Sequence, residues 1–209
     1  MDAARLIEGS ANWTAADDAA LRAWFARYRD WLVNSPNGID ESDAPNNHGS
    51  WYAAQVVSYS LFTGDTAQAL RWLRTLPARI DSQITATGDQ PVENLRTRSF
   101  HYHAFNVEAL SRLAEMGRHV GVDVWHTTAG DGAGIRRAID FFGPFMPEPE
   151  RWPHRQINAL ELEEMTIHLR RAYTVYRDPA YLGLLSRLPA DVIRTDISAL
   201  LYPDSVPAP

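Results

Sequence analysis

The chain has 209 residues, of which 45% are apolar and 22% are charged, so it is long enough for one domain with its own hydrophobic core. Its formal net charge of −6 and the lack of a basic cluster argue against a nucleic-acid partner. The absence of cysteine excludes disulfides, thiolate metal sites and cysteine nucleophiles, and no apolar run is long enough to span a membrane.

The first long element is predicted by a capping box followed by a helical apolar stripe. Thr14 and Asp17 have the spacing of a capping box, with Asp in place of the usual Glu. Apolar residues then recur every three or four positions as far as Val33, which is the period of a helix that buries one face. The turn-forming residues 34–38 end this helix, and we expect residues 39–48 to form an acidic loop.

The rest of the chain repeats the helix–loop–helix pattern, and no segment alternates apolar and polar residues over the length of a strand. Further helices are predicted over residues 50–62, 65–76, 97–117, 135–142, 161–176 and 179–188. Gly117 is predicted to cap the helix over 97–117. We expect an all-α fold of antiparallel helix pairs, with one domain over residues 1–202 and a disordered, proline-rich tail over 203–209.

Two amides and an imidazole stand together in Asn46-Asn47-His48, just before the predicted helix over 50–62. These side chains can converge in front of a helix N-terminus, where free N–H groups and a partial positive charge favour a carboxylate. The same residue types are ordinary helix caps. This stretch alone therefore fits either a binding site or a cap.

The densest polar cluster runs from Gln90 to Asn106. Arg98, Tyr102 and Asn106 follow each other at intervals of one helical turn, so they share a helical face, which we interpret as the lining of a cleft. Positive charge near a tyrosine favours its phenolate, and such a tyrosine can take a proton from carbon and return one to a leaving oxygen. A packing role for Tyr102 and for the neighbouring histidines is the alternative interpretation.

The same residues could instead belong to a metal site or to a glycosidase site. The histidines include no helical His-x-x-x-His pair with a metalloprotease-type Glu, so no metal site is predicted. A glycosidase with two carboxylates stays an open alternative. The acidic residues near the two polar stretches are Asp40, Glu41, Asp43, Asp89 and Glu93.

Taken together, the two stretches resemble the alginate lyase superfamily. The motifs in chain order are Asn-Asn-His-Gly-x-Trp-Tyr from Asn46, Phe-x-Gly-Asp from Phe62, Gln-Ile-x-x-x-Gly-x-Gln-Pro from Gln83, and Glu-x-x-Arg-Thr-x-Ser-x-x-Tyr-x-x-Phe-Asn from Glu93. Residues 121–125 and Trp152-Pro153 are also similar. The resemblance covers about residues 14–157 and is specific to the superfamily rather than to one substrate.

The resemblance implies an (α/α) toroid, an incomplete barrel of antiparallel helical hairpins around a cleft, and cleavage of a uronic-acid polysaccharide by β-elimination. By position, Asn47 and His48 would hold and neutralise the C6 carboxylate of the sugar, assisted by Arg96. Tyr102 would take the C5 proton and protonate the departing O4, and His48 would be the base for the opposite epimer. Arg98 competes with Arg96, because some relatives place the arginine differently.

The same resemblance implies an anionic polyuronate as the partner, either alginate or a related polymer such as glucuronan. It implies no metal, no organic cofactor, no nucleic acid and no membrane. Further residues would bind substrate near the cleft: Asn46, Trp51, Tyr52, Gln90, Glu93, Arg98, His101, Asn106, Trp152 and His154.

Members of this family usually have a signal peptide and several helices before the point where this chain starts. Residues 1–5 show no signal-peptide pattern, although the family implies a periplasmic or secreted protein. We therefore expect this chain to be the C-terminal part of the family domain. The alternative that follows is a non-catalytic, carbohydrate-binding remnant of such an enzyme.

Overall fold

The computed structural model describes residues 2–205, which form α-helices and short 3-10 turns. This range contains no β-strand, and only an isolated bridge joins Arg98 to Gln156. The all-α prediction is therefore confirmed. None of the helices in the described range is long and apolar enough to cross a bilayer.

The helices are numbered in chain order. The first eight are α1 (Asp2–Ile7), α2 (Ala15–Asn34), α3 (Pro36–Asp43), α4 (Asn47–Phe62), α5 (Thr66–Leu73), α6 (Leu76–Gln83), α7 (Pro91–Asn94) and α8 (Ser99–Arg118). They are followed by α9 (Ile135–Asp140), α10 (Met165–Tyr176), α11 (Ala180–Leu185), α12 (Ala190–Thr195) and α13 (Ser198–Leu201). The 3-10 turns are Gly143–Phe145, Pro149–Arg151, Leu162–Glu164 and Pro203–Ser205.

The start of α2 matches the predicted capping box. Thr14 Oγ1 accepts a hydrogen bond from the Asp17 N–H at 3.1 Å, and the Asp17 carboxylate accepts one from the Thr14 N–H at 3.1 Å. The acidic loop expected over residues 39–48 is wrong, because α3 occupies Pro36–Asp43. Ser35 and Pro36 form a helix start, with the Ser35 hydroxyl accepting from the Gly38 N–H at 3.0 Å.

Helices α4 and α8 pack side by side and run in the same direction. Trp51 near the start of α4 contacts Phe105 near the start of α8, with ring centroids 5.0 Å apart. Tyr59 and Met116, further along the same two helices, line one cavity. The main hydrophobic core lies beneath these helices and extends to α9 and α10. Parallel neighbours joined by returning helices are the arrangement expected for the inner helices of a toroid.

Gly117 has a different role from the predicted one. It lies inside α8, and the helix is capped at His119. A Cβ on Gly117 would come within 2.7 Å of the backbone oxygen of Val122. Glycine is therefore required here by the close approach of the following loop, and not by a left-handed cap.

A buried ion pair fastens α8 to α10. The Arg171 guanidinium, almost completely buried, contacts both oxygens of Glu108, and its Nε donates to Glu115 at 2.9 Å and to the Tyr202 hydroxyl at 2.8 Å. Burial alone would raise the pKa of Glu108, but the charge and hydrogen bonds of Arg171 outweigh it and hold that pKa at about 2. The pair therefore joins the two helices through charges that water cannot easily compensate.

The segment after α13 also packs against α10. Arg170 donates to the backbone oxygen of Ser205 at 3.1 Å, and Ser205 is buried. The predicted disordered tail is thus wrong for Pro203–Ser205, because the buried Arg170 guanidinium needs these acceptors. The rest of that prediction, over residues 206–209, lies outside the described residues.

We predict that Arg171→Met lowers the free energy of unfolding by about 3–5 kcal/mol, because the Glu108 carboxylate is left buried without its main partner. The matched control is Arg112→Gln, which removes an exposed arginine 2.7 Å from the same carboxylate and should cost less than about 1 kcal/mol. Urea unfolding followed by circular dichroism measures both values. Equal losses in the two variants would contradict the assignment.

The ion pair between Arg171 and Glu108 should also make the stability of the protein depend on pH. Since the folded state lowers the pKa of Glu108 from 4.5 to about 2, its stabilisation is complete above pH 4.5 and is lost as the pH falls towards 2. In Arg171→Met, burial raises the pKa of Glu108, so this acid-induced loss should disappear from the unfolding curve.

Candidate active site

The first polar stretch lies at the N-terminus of α4. Asn46 is the N-cap, and its side-chain oxygen accepts a hydrogen bond from the His48 N–H at 3.0 Å. Asn47 and His48 form the first helical turn instead of a preceding loop. The cap interpretation therefore holds for Asn46, and Asn47 and His48 lie at the positive end of the helix, where a binding site stays a prediction.

Gly49 lets the chain before α4 pass close to the helix. A Cβ at this position would lie 2.4 Å from the backbone oxygen of Ala44 and 2.3 Å from Nη1 of Arg79. Arg79 donates to the backbone oxygens of Ser42 and Ala44 at 2.9 and 3.3 Å. Arg79, which belongs to none of the sequence motifs, thus holds the connection between α3 and α4.

Glu93 holds Asn47 in place. The carboxylate is only 2% exposed and accepts hydrogen bonds from the Asn47 N–H at 2.5 Å and from Asn47 Nδ2 at 2.8 Å. Burial raises the pKa of Glu93, while the Asn47 bonds and the charges of Arg96 and His48 act in the opposite direction. Glu93 was predicted to bind substrate. Its burial instead makes it a positioning residue.

A layer of buried amides supports α8 from below. Asn106 Nδ2 donates to Gln83 at 3.1 Å and to Gln90 at 2.6 Å, and Gln90 donates to the backbone oxygen of His103 at 3.2 Å. Asn106 is 0% exposed and Gln90 is 1% exposed. Asn106 was predicted to line a cleft and Gln90 to bind substrate, but both side chains face the interior.

Arg96 and Tyr102 are in direct contact. The Arg96 guanidinium carbon lies 3.9 Å from the centre of the Tyr102 ring, and both residues are partly exposed. Arg98, the competing arginine, is the N-cap residue of α8 and forms an ion pair with Glu161 at 2.6 Å. Of the two arginines, Arg96 has the contact with the tyrosine.

His48 is the most open of the predicted catalytic side chains. It is 51% exposed, and its Nδ1 lies 2.8 Å from the Glu41 carboxylate. This contact orients the imidazole and directs Nε2 to the other side of the ring. The charges of His48, from the first polar stretch, and of Arg96, from the second, both act on the buried Glu93 carboxylate.

A ribbon of aromatic rings leads away from Tyr102. The His101 ring lies 5.4 Å from the Tyr102 ring and is stacked on Phe105 at 5.7 Å, and Phe105 lies 5.0 Å from Trp51. Trp51 lines a cavity of about 930 Å³. Arg112 and other basic side chains also line that cavity.

Two aromatic residues predicted to bind substrate are part of the core. Tyr52 is 2% exposed and donates its hydroxyl to the backbone oxygen of Leu32 at 3.0 Å. Trp152 is also buried, and its Nε1 donates to the Ser99 hydroxyl at 2.8 Å. We correct both assignments to packing roles. His154 remains partly exposed, 3.2 Å from the Asp89 carboxylate.

Two carboxylates that the sequence motifs do not reveal lie beside the site. Glu161 contacts Arg98, and Glu164 Oε1 lies 2.7 Å from Nδ1 of His101. Both come from the short segment that precedes α10. The sequence shows the two glutamates as a Glu-x-x-Glu pattern at a predicted helix start. No local pattern, however, predicts that they contact a histidine about sixty residues earlier.

Comparisons with known proteins agree with the fold and the motifs. The family described as alginate lyase matches residues 1–152. A crystal structure of an alginate lyase from Bacteroides ovatus matches with a TM-score of 0.85 and 29% sequence identity, over 88% of this chain and 50% of that chain. A search of curated proteins finds no match. The chain thus spans about half the length of the structure that it matches, and the prediction of a toroid-type fold is confirmed.

We predict that Glu93→Gln destabilises the fold by about 1–3 kcal/mol, because an amide cannot accept from both the N–H and the Nδ2 of Asn47. Thermal unfolding followed by circular dichroism measures the loss. Asp81→Asn, at an exposed position of α6, is the control and should change stability by less than about 0.5 kcal/mol. An unchanged melting temperature in Glu93→Gln would contradict the positioning role.

Proposed function

The chain belongs to the alginate lyase family, and from that premise we propose that it cleaves a uronic-acid polymer by β-elimination. The observation that carries the proposal is the contact between Arg96 and Tyr102 at the N-terminus of α8. The charges of Arg96 and of His48, in the first turn of α4, both act on the buried Glu93 carboxylate. This arrangement combines a positive environment for a carboxylate with a phenol that can exchange protons.

The first task of such a site is to neutralise the C6 carboxylate of the sugar. His48 and Arg96, together with the positive end of α4, would supply the charge and the hydrogen-bond donors. A neutralised carboxylate makes the C5 proton more acidic and stabilises the enolate-like intermediate. Asn47 is only 3% exposed and is bound to Glu93, so it would contribute mainly by fixing the first turn of α4.

The second task is proton transfer. The Tyr102 phenolate would take the C5 proton, the C5 electrons would form the C4–C5 double bond, and the C4–O4 bond would break. Tyr102 would then return its proton to the departing O4, which leaves the tyrosine ready for another cycle. Arg96 lies against the ring, where its positive charge would stabilise the phenolate with which the cycle begins and ends. For the opposite C5 epimer, His48 would act as the base.

The aromatic ribbon suits the neighbouring sugars of the polymer. His101, Phe105 and Trp51 offer ring faces for stacking, and the basic side chains of the adjoining cavity could pair with further carboxylates. Alginate and related polyuronates such as glucuronan fit this chemistry. The protein would encounter such a polysaccharide outside the cytoplasm, which agrees with the localisation that the family implies.

A hydrolase with two carboxylates is less well supported. Glu41 pairs with His48, Glu93 is buried on Asn47, and Asp89 accepts from the Gln90 N–H at 3.0 Å. Each of these carboxylates already has a donor or cationic partner. A binding remnant without catalysis is the other alternative, and it predicts polymer binding without an unsaturated product.

We predict that Tyr102→Phe lowers turnover of a polyuronate by at least about 100-fold, because it removes the group that transfers both protons. Ultraviolet absorbance of the unsaturated uronate measures the rate with polymannuronate, polyguluronate and glucuronan. Polymer binding and the circular dichroism spectrum should be unchanged, since only a partly exposed hydroxyl is lost. Turnover retained in this variant would refute the role of Tyr102, and saturated products would favour the hydrolase.

A second prediction separates the two arginines. Arg96→Ala should lower kcat by about 100- to 1,000-fold, because it removes positive charge next to the reacting groups. Arg98→Ala should lower kcat by less than about tenfold, because the lost partner is the Glu161 carboxylate. Steady-state kinetics of the two matched variants decide the assignment, and the reverse order would transfer the role to Arg98.

A further inference from the structure

A cluster of one histidine and two glutamates lies beside Tyr102, on the side that faces α10. His101, Glu161 and Glu164 each place one potential ligand atom so that all three atoms lie within 4.8 Å of one another. We propose that these three side chains form a binding site for a divalent transition-metal ion, with Zn²⁺ as the ion that fits the donors best. The proposal is independent of the elimination chemistry.

The donor set selects the class of ion. Zinc binds both imidazole nitrogen and carboxylate oxygen, and a site with three protein ligands takes water as the fourth. Calcium and magnesium prefer sites made entirely of oxygen ligands. The set is contributed by two separate elements, because His101 lies in the first turn of α8 and the glutamates come from the segment before α10.

One carboxylate oxygen of the cluster is buried without a hydrogen-bond donor from the described residues. This atom is Oε2 of Glu164. A divalent ion would satisfy the unpaired oxygen and offset the repulsion between the two carboxylates.

The surroundings provide both support and access. Arg98 contacts Glu161 at 2.6 Å, and a carboxylate has a second oxygen with which it can bind a metal. The side chains of His101 and Glu161 are about one-third or more exposed, so an ion and its water can enter from solvent. The contact between His101 and Glu164 at 2.7 Å is the one that an ion would replace.

A bound ion would fasten the Leu162–Glu164 turn to the first turn of α8. Because Tyr102 follows His101 directly, the ion would stiffen one wall of the candidate active site. It would have a structural role, since the proton transfers are assigned to other side chains. The expected effect of metal is therefore on binding and on stability, and it can be measured without substrate.

The test is a calorimetric titration of the chelator-treated protein with Zn²⁺. We expect one ion per chain, with affinity reduced at least about tenfold in His101→Ala and in Glu161→Gln. The control is His126→Ala, which removes another histidine, exposed and 2.8 Å from a single carboxylate of Asp123, and should leave the affinity unchanged. Zn²⁺ should also raise the melting temperature of the wild type and of His126→Ala, but not of Glu161→Gln.

Several outcomes would overturn the proposal. They are the absence of zinc binding to the folded wild type, affinity unchanged in both ligand variants, or an equal loss in His126→Ala. Circular dichroism checks that each variant is folded, and Glu161→Gln preserves the size of a partly exposed side chain. None of these measurements requires lyase activity, so a failure of the proposed function would not be mistaken for a failure of the metal site.

Discussion

The hydrogen bonds between the buried Glu93 carboxylate and Asn47 set the geometry on which the candidate site depends. One oxygen accepts from the helix backbone and the other from the amide, so the first turn of α4 is fixed relative to the segment that leads into α8. His48 extends from that turn, and Arg96 follows Glu93 by three residues. Without this buried acceptor the two Asn47 donors would be left unpaired in the interior, which is energetically costly. His48 and Arg96 would then no longer be held in fixed positions relative to each other.

Buried hydrogen bonds also fix the interior of the protein below the candidate site. The amides of Gln83, Gln90 and Asn106 are hydrogen-bonded to one another in the interior. A buried polar network specifies a single arrangement more strictly than an apolar contact, because a slip of one residue leaves several groups without partners. Gln83 also accepts from the Ser50 hydroxyl of α4 at 3.0 Å, so these buried amides connect α4 with α8. Several motif residues that suggested substrate contacts serve this purpose.

Local signals were predictable from the sequence, whereas contacts between distant segments were not. The Thr14–Asp17 capping box and the apolar stripe of α2 depend on neighbours a few residues away, and both were found. The spacing of Arg98, Tyr102 and Asn106 identified a common stripe, but their side chains diverge to an ion pair, the site and the interior. The reason is that helical spacing does not say which neighbours pack against each side chain. The partnership of His101 with Glu164 arises only when α8 and α10 pack together.

The hydrogen bond from the first turn of α4 to Glu93 has a consequence for folding kinetics. Forty-six residues separate the donor Asn47 from its acceptor, so the loop between them must close before that bond exists. Helices form by themselves far faster than contacts of such large sequence separation. We infer that the helices bearing the catalytic candidates are present early, whereas their mutual alignment is among the last events on the folding pathway. A newly made chain would then acquire its helical spectrum before it acquires a competent site.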